Sequence, residues 1–201
     1  MRCIYKNHQK FSQVKTPFNM EFIFGYPIWE LKKSGKFNRK KIEQEIYRAK
    51  EEDTEEKELS IRSTRGGYQS NPSFPSDKFK EALEYIRSQL ESPEGLRFPH
   101  LIEAAWVNIN QEGNYNMPHN HGGTDSSGFA GVLFVTDAPG LHILNPRPGA
   151  PYYDVQRSPE GNAGEIIIFP KSLLHWVEPS KSEKDRITFA FNITDTPDNF
   201  K

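Results

Sequence analysis

Cysteine is nearly absent from this 201-residue chain. Cys3 stands alone, which excludes an internal disulfide framework and any zinc site built from thiolates. Neither sign of charge is in excess: 26 Lys and Arg face 27 Asp and Glu, for a formal net charge of −1. A chain so balanced has no global basic field to draw in nucleic acid, and duplex DNA is a poor candidate partner. Long apolar runs are missing too. None approaches the roughly 18 residues of a membrane span, and residues 1–15 mix Lys, His and Gln where a signal peptide would need an apolar stretch. Together these absences point to a reducing, cytoplasmic setting.

What the chain has in quantity is turn formers and rings. Its 15 prolines, 14 glycines and 12% aromatics suit a β-rich, loop-rich fold better than a helical bundle. One domain over residues 20–201 is expected, because the aromatic, strand-like run of 20–31 opens at Met20; residues 1–19 then form an N-terminal extension. The charged stretch 37–58 predicts a helix, with Ile42, Ile46 and Ala49 at helical spacing. A second helix is expected over about 78–90, capped by Ser76 and Asp77, with Phe79, Leu83, Ile86 and Leu90 on one stripe. The remainder reads as short strands at 101–110, 127–135, 141–144, 165–169, 176–179 and 187–193. Turns such as Pro139-Gly140 and Asn162-Ala163-Gly164, and a rigid loop at 145–151, divide them. Many short strands between Gly and Pro turns indicate a sandwich or barrel of the jelly-roll type. No internal repeat is visible.

The run Asn116-Met117-Pro118-His119-Asn120-His121 carries the most chemistry. Histidines one residue apart on an extended segment face the same way, so His119 and His121 can address one metal, and a neutral imidazole suits Fe, Zn, Cu or Ni. An H-x-H pair alone is as often a polar loop. Two residues downstream give it weight. His175 lies 54 positions after His121, behind a strand and a Pro-Lys-Ser turn, and Arg186 lies 11 positions further, at the start of the last strand. In a jelly roll such positions meet at the barrel mouth, where small ligands bind. Arg186 shares strand parity with Thr188, Ala190 and Asn192 and is expected to point with them into the barrel. A buried guanidinium requires a partner, and its planar fork matches a carboxylate. The familiar non-haem iron site has two histidines and one carboxylate. Here His121 stands where the acid of an H-x-D/E pair would be. Two ligand sets are open: three histidines, or two with Asp125 folded back by Gly122-Gly123-Thr124. The first needs only the residues already in place and is favoured. Three neutral imidazoles leave a metal dication uncompensated, which strengthens the binding of a dianion.

Extended in both directions, the pattern is Trp106-x-Asn108-x-Asn110-x-x-Gly113-x-Tyr115-Asn116-x-x-His119-x-His121. Ser127-Gly128, Asn145-Pro146-Arg147, the run from Gly164 through Phe169-Pro170 and His175 to Pro179, and Arg186 to Asn192 come after it. This series resembles the 2-oxoglutarate–Fe(II) oxygenases common in marine bacteria and cyanophages. Upstream, Gly66-Gly67-Tyr68-Gln69-Ser70 is similar to that family's G-G-W-Q-S, so the resemblance covers about residues 22–193. It departs at Phe129-Ala130-Gly131-Val132-Leu133, where the family has a more aromatic strand.

The resemblance implies a mainly β fold, a double-stranded β-helix (a cupin-like jelly roll) with flanking α-helices. It implies Fe(II) held by His119, His121 and His175, with Arg186 on the distal carboxylate of 2-oxoglutarate and O2 as the further cosubstrate. Asn108, Asn110, Tyr115 and Asn192 would line the cosubstrate pocket, and Arg147 and Tyr68 would contact substrate. The implied activity is a dioxygenase that hydroxylates a small-molecule or peptidyl substrate and releases succinate and CO2, acting in the host cytoplasm if the chain is phage-encoded. The alternative is a cupin-like metal-binding isomerase or sugar-binding module, which keeps the histidines but does not need Arg186 to hold 2-oxoglutarate. An interaction protein built on the charged helix is a third. Neither the substrate nor the oligomeric state, monomer or homodimer, is legible.

Overall fold

The structure, a computed structural model, describes residues 18–23, 26–53, 62–72, 77–91, 102–122, 128–146 and 156–193. They contain β1 (Phe18–Ile23), β2 (Tyr26–Leu31), α1 (Arg39–Glu52), β3 (Thr64–Arg65), β4 (Tyr68–Gln69), α2 (Lys80–Leu90), β5 (Ile102–Asn110), β6 (Tyr115–His119), β7 (Phe129–Phe134), β8 (Leu141–Leu144), β9 (Gln156–Arg157), β10 (Ile166–Pro170), β11 (His175–Val177) and β12 (Arg186–Ile193). Two sheets form. One has seven strands in the order β1-β2-β10-β7-β12-β5-β4, the other five in the order β3-β6-β11-β8-β9, and neighbouring strands are antiparallel. This is a double-stranded β-helix with both α-helices on the outer side of the larger sheet, as the sequence resemblance implies.

Period-two alternation divides the apolar residues between two layers. Ala105, Val107, Ile109, Leu133, Ile166, Ile168, Ile187, Phe189, Phe191 and Ile193 pack with the helical stripes Ile42-Ile46-Ala49 and Phe79-Leu83-Ile86-Leu90. Residues of opposite parity, among them Ala130, Val132, Phe134, Ile167 and Phe169, join Leu141, Ile143 and Leu173 in the layer between the sheets. The departure from the family pattern at 129–133 has a packing cause on the helix side. A Cβ on Gly131 would come within 2.2 Å of the Phe191 ring, so the large ring of one strand occupies the space that a side chain on its neighbour would need.

Both helical stripes are buried as the periodicity predicts. The start of α2 differs. A 3-10 turn (Asp77–Phe79) precedes it, and Phe79 makes no side-chain cap. The free amides of Glu81 and Ala82 instead donate to the Glu45 carboxylate of α1. Ser76 lies outside the described residues. The strand-like run expected from residue 20 is a hairpin, β1 paired with β2. Of the expected extension 1–19, Phe18 and Asn19 belong to β1 and the rest lies outside the described residues. No described helix is long and apolar enough to cross a membrane.

Candidate functional site

Three segments bring the histidines together. His119 ends β6, His121 stands in the next turn, and His175 opens β11, whose register places it directly opposite His119. One potential ligand nitrogen from each of the three lies within 4.8 Å of the others, and the ring centroids are 4.3–5.3 Å apart. His175 is buried; His119 and His121 are half-buried.

Each ring is held by its Nδ1. His119 Nδ1 is 2.8 Å from the carbonyl oxygen of Met117, and His175 Nδ1 is 3.0 Å from that of Leu173. His121 Nδ1 is 2.9 Å from Asn192 Oδ1. A carbonyl oxygen only accepts, so the imidazole proton sits on Nδ1 and the lone pair of Nε2 is left free. Burial also favours the neutral form. It lowers the pKa of His119, pushes His121 down to about 4 with the neighbouring His119 adding to the effect, and holds His175 well below its ordinary value. Neutral imidazoles grouped within 4.8 Å, each with a ring lone pair to offer, are what a divalent transition metal requires. The donor set therefore fits Fe(II).

A cavity opens in front of the histidines. Trp106, Val132, Phe134, Ala138, Leu141, Val177 and Ala190 give it apolar walls, while Ser63, Asn108, Asn110, Asn116, Thr188 and Arg186 give it polar ones. Arg186, Thr188 and Ala190 enter from β12 at alternate positions, as their shared parity predicts. Arg186 is 6% exposed, and burial lowers its pKa from the ordinary value. Its guanidinium donates to the carbonyl oxygens of Pro139 at 3.3 Å and Asn114 at 3.2 Å. Among the described residues no carboxylate pairs with it, and none lines the cavity. A buried guanidinium that shares a cavity with three grouped histidines, and pairs with no carboxylate among the described residues, suits an anionic ligand.

The polar wall is tied together by its own bonds. Asn110 Nδ2 donates to Asn116 Oδ1, whose Nδ2 donates to Thr64 Oγ1 and Ser63 Oγ. Thr64 Oγ1 lies 3.0 Å from Asn108 Oδ1. Close approach of the β3–β4 turn makes this possible: a Cβ on Gly67 would meet Asn110 Oδ1 at 2.3 Å. Of the asparagines singled out from sequence, Asn108 and Asn110 line the cavity, while Asn192 stands beside His121. Tyr115 is 37% exposed and lies outside the cavity. Tyr68 turns to the helix side, where its hydroxyl donates to Asp53, because the neighbouring Gln69 takes the inward parity of β4. Arg147 and Asp125 lie outside the described residues. Asn116, Ser63 and Thr64 are site residues that the sequence alone does not single out. Asn116 has a visible signal, since it begins the histidine run. Ser63 and Thr64 have none, because their role depends on a pairing 52 residues away in sequence.

A family model described as "Putative 2OG-Fe(II) oxygenase" matches residues 104–192, the span that holds the three histidines, Arg186 and Asn192. Over that span the chain is similar to this oxygenase family. Solved structures share this chain's fold at low identity. A prolyl-4-hydroxylase from Pseudomonas putida superposes with a TM-score of 0.52 at 14% identity, over 90% of this chain and 95% of that one. A viral collagen prolyl hydroxylase from Paramecium bursaria Chlorella virus-1, in complex with 2-oxoglutarate, gives 0.54 at 15% identity over 83% and 94%. HygX from Streptomyces hygroscopicus, with nickel and 2-oxoglutarate bound, gives 0.56 at 12% identity over 84% and 82%. No curated protein matches the sequence.

Proposed function

We propose that His119, His121 and His175 hold Fe(II) through their Nε2 atoms, that Arg186 anchors the distal carboxylate of 2-oxoglutarate, and that the oxygenase hydroxylates a small-molecule or peptidyl substrate. One observation carries this reading: three converging neutral imidazoles share a cavity with a buried arginine, and no described acid lines it. Bound iron and 2-oxoglutarate supply the redox chemistry, in which substrate C–H, O2 and 2-oxoglutarate give C–OH, succinate and CO2.

The chain's own residues bind, orient and exclude. Arg186 fixes the far end of the cosubstrate by charge-assisted hydrogen bonds. Asn108 and Asn110 form the polar side of its pocket, and Trp106, Val132, Phe134 and Leu141 keep water from the other side. The prolyl hydroxylases and HygX share the fold, which supports peptidyl and small-molecule substrates as the classes to try first. The oxygenase domain is assigned to residues 20–201 together with Phe18 and Asn19 of β1, the residues before them as an extension, and the cytoplasm as its compartment. The motif resemblance supports an origin among marine bacteria and cyanophages.

Protein reconstituted anaerobically with Fe(II) and then exposed to O2 should convert 2-oxoglutarate to succinate, fastest with a productive substrate from a panel of prolyl peptides, amino acids and sugars. Arg186→Ala should raise the KM for 2-oxoglutarate roughly 10- to 100-fold and leave Fe(II) affinity unchanged. No succinate above the metal-free control across the panel would overturn the oxygenase reading. Lost Fe(II) binding in Arg186→Ala would overturn the role given to that residue.

A further inference from the structure

His121 differs from the other two histidines in how its ring is held. His119 and His175 bond to the backbone carbonyl two residues earlier in their own segments, Met117 and Leu173. Such an acceptor comes with the chain and no substitution removes it. His121 stands beyond the end of β6, its own amide donating to the Lys171 carbonyl, and its Nδ1 reaches across the barrel to Asn192 Oδ1, 71 positions away in sequence. The edge contact with Trp106, 5.0 Å between centroids, restricts the ring's tilt but offers no acceptor.

Asn192 is aimed by its strand. The β12–β5 register shifts between Asn192 and Ile193, where Asn192 faces Ala104 and Ile193 faces Ile102, leaving Glu103 as the extra residue of a bulge. The bulge lies on β5, so Asn192 keeps the regular parity of β12. Arg186, Thr188 and Ala190 line the cavity from β12, and Asn192, next in the same parity, stands at His121.

Resting on the metal assignment proposed above, we infer that Asn192 is a positioning residue that fixes the orientation and tautomer of His121 as an Nε2 metal ligand. An amide presents either an acceptor or a donor. Only its oxygen lets Nδ1 keep the proton and turns the Nε2 lone pair toward the metal. A carboxylate at this position would serve the same geometric purpose but would add negative charge to a ligand set that is otherwise neutral.

The test uses Co(II) as the probe, on the full chain under anaerobic conditions. Binding is tracked by titration and by the visible absorption of the bound ion, and each metal-free variant is first shown to be folded by circular dichroism. Asn192→Ala should weaken Co(II) binding roughly 10- to 100-fold and change the visible spectrum. Asn192→Asp, which keeps an acceptor of the same shape, should restore affinity to the wild-type level or above. Wild-type affinity and spectrum in Asn192→Ala, or an Asn192→Asp as weak as Asn192→Ala, would overturn the inference. His175→Ala separates this from failure of the metal assignment: it should bind no Co(II), and wild-type affinity there would overturn both.

Discussion

The two faces of β5 and β12 have opposite characters. Toward the helices they present Ala105, Val107, Ile109, Ile187, Phe189, Phe191 and Ile193, all apolar and all buried. Toward the cavity they present Trp106, Asn108, Asn110, Arg186, Thr188 and Ala190. Only the two-residue repeat of an extended chain separates the sets. The face that stabilises the fold and the face that holds the chemistry are therefore parts of the same rigid strands, whose paired backbones cannot shift on one side without shifting on the other. Substitutions on the first face should cost stability and spare the site in molecules that remain folded; substitutions on the second should do the reverse.

The largest expected effect on the apolar face is at Phe189, which is fully buried and meets Phe79 edge-on with centroids 5.3 Å apart. Phe189→Ala removes this contact and leaves a cavity between sheet and helices, for a loss of about 3–5 kcal/mol. Urea unfolding measures it. Metal affinity per folded molecule should stay at the wild-type value, and a matching loss of Co(II) affinity at temperatures where the variant is folded would break the division between the faces.

Acid should act through the cavity face, since that is where neutral histidines are buried. The folded pKa of His121, about 4, lies below the ordinary 6.5. As pH falls below about 6.5 the unfolded chain takes up a proton that the folded, metal-free protein refuses. Stability is thus full above about pH 6.5 and is lost progressively down to about pH 4. His121 alone accounts for up to about 3 kcal/mol across that window, and His119 and His175 act in the same direction. The thermal midpoint of the metal-free protein should fall more steeply between about pH 6.5 and 4.5 than that of His121→Gln. Parallel slopes would show that the acid sensitivity lies elsewhere.

The two faces also differ in how readable they are. Helical stripes and strand alternation arise from local periodicity, so Ile42-Ile46-Ala49, Phe79-Leu83-Ile86-Leu90 and the inward parity of Arg186, Thr188 and Ala190 are visible in the chain. The histidines and Arg186 stand out because a metal and a dicarboxylate need those residue types. Roles set by long-range pairing are hidden. Tyr68 reads as a pocket residue from its motif, yet the inward parity of its two-residue strand belongs to Gln69. Asn192 reads as a cosubstrate contact from its motif, and its bond to His121, 71 positions away, is not legible there.

The smallest effect tests the apolar side at its edge. The Glu45 carboxylate of α1 accepts from the amides of Glu81 at 3.0 Å and Ala82 at 3.4 Å. It takes the place of the side-chain cap that Phe79 cannot provide. A carboxylate at a helix N-terminus satisfies otherwise free donors and complements the helix dipole. Glu45→Ala should therefore cost about 1 kcal/mol, a fall of about 2–4 °C in Tm for a chain of this size. Glu45→Gln keeps an acceptor and should recover part of it. Neither substitution reaches the cavity, so 2-oxoglutarate turnover per folded molecule should be unaltered. A change in the KM for 2-oxoglutarate in Glu45→Ala would mean that the position of α2 is transmitted through the larger sheet to Arg186, and the two faces would no longer be separable.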